Sequence, residues 1–202
     1  GQGDGDGCLP RAEEQRRRAA QPLGAQSSCD RCAAGSFQNE SGATACFGCP
    51  PTSFCAEGAS APLPCEEGTF SSVSGLGSEV QCTACPAGAF CSTGSLVSTP
   101  CSPGTVQPKA GQGTCSKCDA GWYQELPGQT SCLECVAGSY CAEGASTTLP
   151  CPAGFFSNQT GLGSGEQCSD CPQGTFCFAG AVKAANCSAG TFAADANSKL
   201  CL

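Results

Sequence analysis

Cys32-Ala33-Ala34-Gly35-Ser36-Phe37 is the stretch on which the fold of this chain turns. Its pattern is cysteine, two residues, glycine, one residue, aromatic. It returns at Cys65–Phe70, Cys85–Phe90, Cys118–Tyr123, Cys135–Tyr140, Cys151–Phe156, Cys171–Phe176 and Cys187–Phe192. Two more copies depart from it: Cys101–Val106 ends in valine, and Cys49–Phe54 carries Thr52 in place of the glycine. A phrase repeated this often along one chain marks a structural unit, not a catalytic centre.

Working outward, the cysteine spacing acts as a ruler. From Cys29 the numbers of residues between successive cysteines run 2, 13, 2, 5, 9, 16, 2, 5, 9, 13, and then the same series repeats. Adding 86 to Cys29 or to any of the next ten cysteines lands on another cysteine. Other residues follow: Cys55-Ala-Glu-Gly-Ala-Ser60 returns as Cys141-Ala-Glu-Gly-Ala-Ser146, and Gly75-Leu-Gly77 as Gly161-Leu-Gly163. Block 1 therefore spans 29–114 and block 2 spans 115–202, with Cys201 opening a third copy. Tandem duplication of this kind is the signature of arrays in which neighbours contact neighbours.

Composition excludes a conventional core. The 202 residues include 22 cysteines, 28 glycines and 14 prolines, but one tryptophan, no histidine and no methionine. That cysteine content exceeds the level that marks a disulfide scaffold, and bulky apolar residues are too scarce for a single large core. The net charge is −8. Arg11, Arg16, Arg17 and Arg18 are balanced by Asp4, Asp6, Glu13 and Glu14, so the remainder carries the whole negative charge. Such a surface is a poor match for nucleic acid or anionic membrane. No apolar run reaches the roughly 18 residues of a membrane span, and no signal-peptide pattern opens the chain. The sequence reads as a piece of a longer protein whose signal and any anchor lie elsewhere.

Residues 1–28 form a separate segment, flexible at Gly1–Gly7, with a short solvated helix expected over 11–20 from its good helix formers. Its Asp4-Gly5-Asp6-Gly7 lacks the remaining ligands of a calcium loop. Beyond it no window shows helical periodicity, and no alternation lasts long enough for a full strand. The expected fold class is a set of small disulfide-rich modules in an elongated tandem array, with short β-hairpins and turns, little helix and no single large core. The repeated glycine suits a turn needing positive φ. The aromatic after it is expected to cover a disulfide as its module's miniature core. Val106 should do so less well, and Thr52 should impose a different turn.

Three roles compete for the cysteines. Cys29, Cys32, Cys46 and Cys49, like their copies Cys115, Cys118, Cys132 and Cys135, approach zinc-ribbon spacing, but zinc would leave the other cysteines idle. Redox C-x-x-C chemistry needs a βαβ context that the sequence lacks. A disulfide ladder in an oxidising compartment uses them all, and is the favoured reading. Asn39-Glu-Ser41, Asn158-Gln-Thr160 and Asn186-Cys-Ser188 match the N-glycosylation acceptor pattern expected there. No metal, cofactor or catalytic residue is expected. Glu66-Glu67, the one tempting carboxylate pair of block 1, becomes Pro152-Ala153 in block 2.

Cys-x-x-Gly-x-[Phe/Tyr] followed by a further cysteine resembles the first half of a tumour-necrosis-factor-receptor cysteine-rich module. The alternation with Cys85-Pro-Ala-Gly-Ala-Phe-Cys91 and Cys171-Pro-Gln-Gly-Thr-Phe-Cys177 resembles the ephrin-receptor-like cysteine-rich repeats. Such repeats occur in animal receptor ectodomains and, in long arrays, in large surface proteins of protists and algae. The resemblance covers residues 29–202. Carried over, it implies the pairs Cys32–Cys46, Cys65–Cys82, Cys101–Cys115, Cys118–Cys132, Cys151–Cys168 and Cys187–Cys201. The remaining cysteines would then close as Cys49–Cys55, Cys85–Cys91, Cys135–Cys141 and Cys171–Cys177, with Cys8 taking Cys29. Cys55–Cys65 with Cys141–Cys151 is the main rival connectivity. Function remains open between two extracellular roles. One is a structural or adhesive rod in a filament, flagellar hair, wall or matrix, with self-association or neighbouring surface proteins as partners. The other is a receptor's ligand-binding ectodomain.

Overall fold

The computed structural model describes residues 30–202, and among them there is no α-helix. Eighteen two-residue strands form nine two-stranded sheets. Strands β1 (Ser36–Phe37) and β2 (Phe47–Gly48), β3 (Ser53–Phe54) and β4 (Leu63–Pro64), and β5 (Thr69–Phe70) and β6 (Thr83–Ala84) make the first three. They are followed by β7 (Ala89–Phe90) with β8 (Thr99–Pro100), β9 (Thr105–Val106) with β10 (Ser116–Lys117), and β11 (Trp122–Tyr123) with β12 (Leu133–Glu134). The series ends with β13 (Ser139–Tyr140) and β14 (Leu149–Pro150), β15 (Phe155–Phe156) and β16 (Ser169–Asp170), and β17 (Thr175–Phe176) and β18 (Ala185–Asn186). Register places the residue before the aromatic opposite the second residue of the return strand, as in Ser36↔Gly48 and Trp122↔Glu134. Each first strand starts just after the positive-φ residue of its phrase, so it has no room to lengthen.

The two longest loops, closed by Cys65–Cys82 and Cys151–Cys168, each contain a single 3₁₀ turn, Glu79–Gln81 and Gly165–Gln167. Both carry a capping box. Gln81 Oε1 accepts the N–H groups of Gly77 and Ser78 at 2.6 and 3.1 Å, and Gln167 does the same for Gly163 and Ser164. The side-chain amide thus satisfies the N–H groups that open such a turn.

The described residues fall into two compact units. One runs to Pro86 and takes in Cys91–Thr99 and Gly111–Gly113; the other comprises Ala87–Phe90, Pro100–Ala110 and Thr114–Leu202. Within each, successive modules are joined by reciprocal main-chain bonds. In the first unit Gly35 N–H donates to Cys55 C=O while Gly58 N–H donates to Cys32 C=O, both at 2.8 Å. In the second, Gly121 and Cys141, then Gly144 and Cys118, repeat the exchange at 2.8 and 2.7 Å. A parallel bridge follows, Phe37↔Ala59 in one unit and Tyr123↔Ala145 in the other. These bonds satisfy backbone groups that two-residue strands alone would leave unpaired.

A second kind of contact reaches one module further. Gly121 sits at φ +90°, and a Cβ added there would overlap the carbonyl oxygen of Gly161. Glycine is thus required twice over, for its φ and for the close approach of two backbones.

Three expectations about the phrase need correcting. Thr52 does not change its turn: it holds φ 70°, just below the 75–96° of the glycines at the same place in the phrase. Its N–H donates to Ser71 C=O at 2.9 Å and its C=O accepts from Cys65 N–H at 2.8 Å, so the surrounding bonds impose a left-handed conformation that a β-branched residue disfavours. Val106 is better buried than the aromatics it replaces, at 8% exposure, while Phe192 is 60% exposed. And in two copies the aromatic packs against the bridge of the next module. Tyr140 packs against Cys151, Leu162 and Cys168, and Phe156 packs against Cys171, Cys177 and Ala181.

Candidate functional site

The chemistry-bearing residues of this chain are its cysteines, and among the described residues none is free. Six bonds close longer loops: Cys32–Cys46, Cys65–Cys82, Cys101–Cys115, Cys118–Cys132, Cys151–Cys168 and Cys187–Cys201. Four close short ones: Cys49–Cys55, Cys85–Cys91, Cys135–Cys141 and Cys171–Cys177. Cys55 and Cys141 thus pair backward, not forward to Cys65 and Cys151. The expected Cys8–Cys29 bond, like the helix over 11–20 and the Asp4–Gly7 loop, lies outside the described residues.

These bonds are also the core. The largest fully buried side chains are all cysteines, and both partners of each short-loop bond have 0% exposure. A module with so little apolar material gathers what it has, such as Leu162 or Ala181, onto the bonded cysteines. No group of three or more His, Cys, Asp or Glu side chains suited to a metal occurs among the described residues. Nor is any helix there long and apolar enough to cross a membrane.

The residue following the aromatic differs with the kind of loop, except in Cys187–Cys201, where Ala193 follows Phe192 and the separation is again 14. Where it is cysteine (Cys55, Cys91, Cys141, Cys177), the short bond closes at once. Where it is Gln38, Gln107 or Gln124, a buried amide clamps a loop closed over a separation of 14. Gln124 Nε2 donates to Ser131 C=O at 2.9 Å, and Leu126 N–H donates to Gln124 Oε1 at 3.0 Å. Gln107 and Gln38 make the same two bonds, to Thr114 and Lys109 and to Ala45 and Glu40. Ser71 and Ser157, buried in the same place, bond two residues on in the longer loops. Replacing Gln124 by Ala should destabilise the oxidised chain by about 1–2 kcal/mol, the net worth of two hydrogen bonds whose partners can turn to water. A denaturant midpoint unchanged in Gln124→Ala would contradict the clamp.

Two surface features complete the inventory. Asn39, Asn158 and Asn186 are all exposed, Asn186 on β18 opposite Thr175. A shallow groove of about 400 Å³ in the first unit is lined by Phe54, Leu63, Pro64, Glu66, Glu67 and Thr93. Its acidic pair has no counterpart at Pro152 and Ala153.

Comparison with known families gives a match over part of the chain. Residues 104–148 fit the family described as tyrosine-protein kinase ephrin type A/B receptor-like. A search of curated proteins found no match to the chain.

Proposed function

The chain carries cysteine-rich repeats of the ephrin-receptor-like type, and from that premise we propose that it is a non-catalytic structural or adhesive segment of a large secreted or cell-surface protein. It acts as a disulfide-stapled spacer within a filament, wall or matrix. Its N-glycans, at Asn39, Asn158 and Asn186, face solvent, and its partners are further copies or neighbouring surface proteins. The observation that carries this reading is the uniformity of the joints. Gly35–Cys55 with Gly58–Cys32, and Gly121–Cys141 with Gly144–Cys118, are the same pair of bonds 86 residues apart. Joints that repeat without variation transmit position and tension and single out no module for recognition.

An antibody raised to residues 30–202 tests it on the native protein. Retention in the detergent-insoluble extracellular fraction, with continuous labelling of a filament or matrix, is the expected result. Complete recovery in a mild-detergent membrane extract, together with saturable binding of a soluble ligand, would overturn it.

That second outcome belongs to the receptor reading, which one observation favours. The Glu66–Glu67 groove is a feature of one block only, as a contact patch for a basic ligand would be. On that reading Glu66→Lys with Glu67→Lys removes ligand binding and leaves the disulfides intact.

A further inference from the structure

Cys65–Cys82 and Cys151–Cys168 stand 86 residues apart and close loops of the same separation, 17. They differ in cover. Cys65 and Cys151 are both at 0% exposure, but Cys82 is half-buried where Cys168 is buried at 7%. Most of their surroundings match. Leu76 and Leu162 are both buried, and Phe54 and Tyr140 are both half-buried. Several residues of the two loops differ, Glu66, Glu67 and Glu79 standing where the second block has Pro152, Ala153 and Gly165. The change that puts a further hydrophobic side chain into the cluster is the first residue of the strand, Thr69 on β5 and Phe155 on β15. Phe155 packs with Tyr140 against the cluster of Cys151, Leu162 and Cys168. The Thr69 hydroxyl instead donates to Glu66 C=O at 2.8 Å, within its own turn. One duplicated bond carries an aromatic cover, and the other has a threonine in its place.

We propose that the Cys65–Cys82 bond is a thiol-exchange site, entered at Cys82 by a soluble aliphatic thiol, and that Phe155 closes the equivalent site in the second block. The incoming thiolate forms a new S–S bond to Sγ of Cys82 as the Cys65–Cys82 bond breaks. Cys65 leaves as a thiolate and takes a proton from water, so one disulfide and one thiol give one disulfide and one thiol. Access decides which bonds react. The four short-loop bonds, at 0% exposure on both sides, are shut. Cys46, Cys115 and Cys132, and both partners of Cys187–Cys201, are half-buried like Cys82 and share its accessible class, so among the six longer-loop bonds described it is Cys151–Cys168 that stands apart as closed. Cys65 stays within its folded loop beside the mixed disulfide, so its thiolate can attack Cys82 Sγ and expel the incoming thiol unless the loop between them opens, which makes the modification reversible and couples it to that loop.

The test is exposure of the oxidised full chain to glutathione in non-denaturing buffer, with acid quench, alkylation and peptide mass mapping over time. Glutathionylated Cys82 should accumulate about tenfold faster than any adduct at Cys151 or Cys168, a difference of access alone. Phe155→Thr should bring the second bond up towards the first. Thr69→Phe, which adds cover instead of removing it, should slow Cys82 by a similar factor. Equal rates at the two bonds in the unaltered chain overturn the proposal. So does a ratio that neither variant moves, or a single common rate for all ten bonds, which would mean exchange through global unfolding.

Discussion

Full reduction in non-denaturing buffer should abolish the fold of residues 30–202, while a strong chelator should leave it untouched. The ten bonds described each contribute on the order of 2–3 kcal/mol in the chain-entropy model. Together they exceed the roughly 5–15 kcal/mol by which a typical domain is stable. Nothing else is placed to replace them, since two-residue strands have no independent stability and the buried side chains are mostly the cysteines themselves. Reduction therefore removes the staples and the core in one step. Hydrogen exchange of the Gly121 and Gly144 amides, which bridge successive modules, reads the result directly. Protection that survives reduction, or disappears with chelator alone, would contradict the disulfide account.

Gly121→Ala should be among the most damaging substitutions that leave every bond-forming cysteine in place, together with those at Gly88 and Gly104, which make the same kind of close backbone approach. Alanine at φ +90° costs about 1–2 kcal/mol by itself. Its Cβ would also overlap the Gly161 carbonyl oxygen, which is backbone and cannot rotate away. The total should reach about 3 kcal/mol or more, as expected of strain added to overpacking. Gly42 provides the control: its φ is +76°, with nothing within 4 Å of the position a Cβ would take. Gly42→Ala should cost only the conformational part. Denaturant midpoints of the two oxidised variants make the comparison, and equal losses would show that the Gly121–Gly161 approach carries no weight.

The sequence made the modules and their turns legible because cysteine and glycine each have one dominant physical use. Short hairpins, many disulfides and the absence of a large core follow from Cys32-Ala-Ala-Gly-Ser-Phe37 and its copies, and the structure has them. The resemblance to ephrin-receptor-like repeats is matched by the family fit over 104–148. Relations between modules were not legible. Gly121 reads as a turn glycine either way, and nothing local says that another backbone lies against it. Tyr140 looks like the cover of its own bridge because a linear phrase cannot show that its ring falls on the following module. Val106 is expected to cover less than an aromatic, yet it is buried to 8% exposure. The glutamine clamps were within reach, since Gln38, Gln107 and Gln124 recur at one place in the phrase. They were hidden because a polar residue after an aromatic ordinarily reads as solvent-facing.

The forward packing of the aromatics gives assembly a direction. Tyr140 precedes the Cys151–Cys168 bond that it covers, and Phe156 precedes Cys171–Cys177. A chain delivered amino end first into an oxidising compartment thus presents these two shields before the cysteines they will shelter. At both bonds the newly arriving loop closes against a surface already formed. Synthesis and oxidation can then advance together, one loop at a time, with few unpaired thiols exposed at any moment.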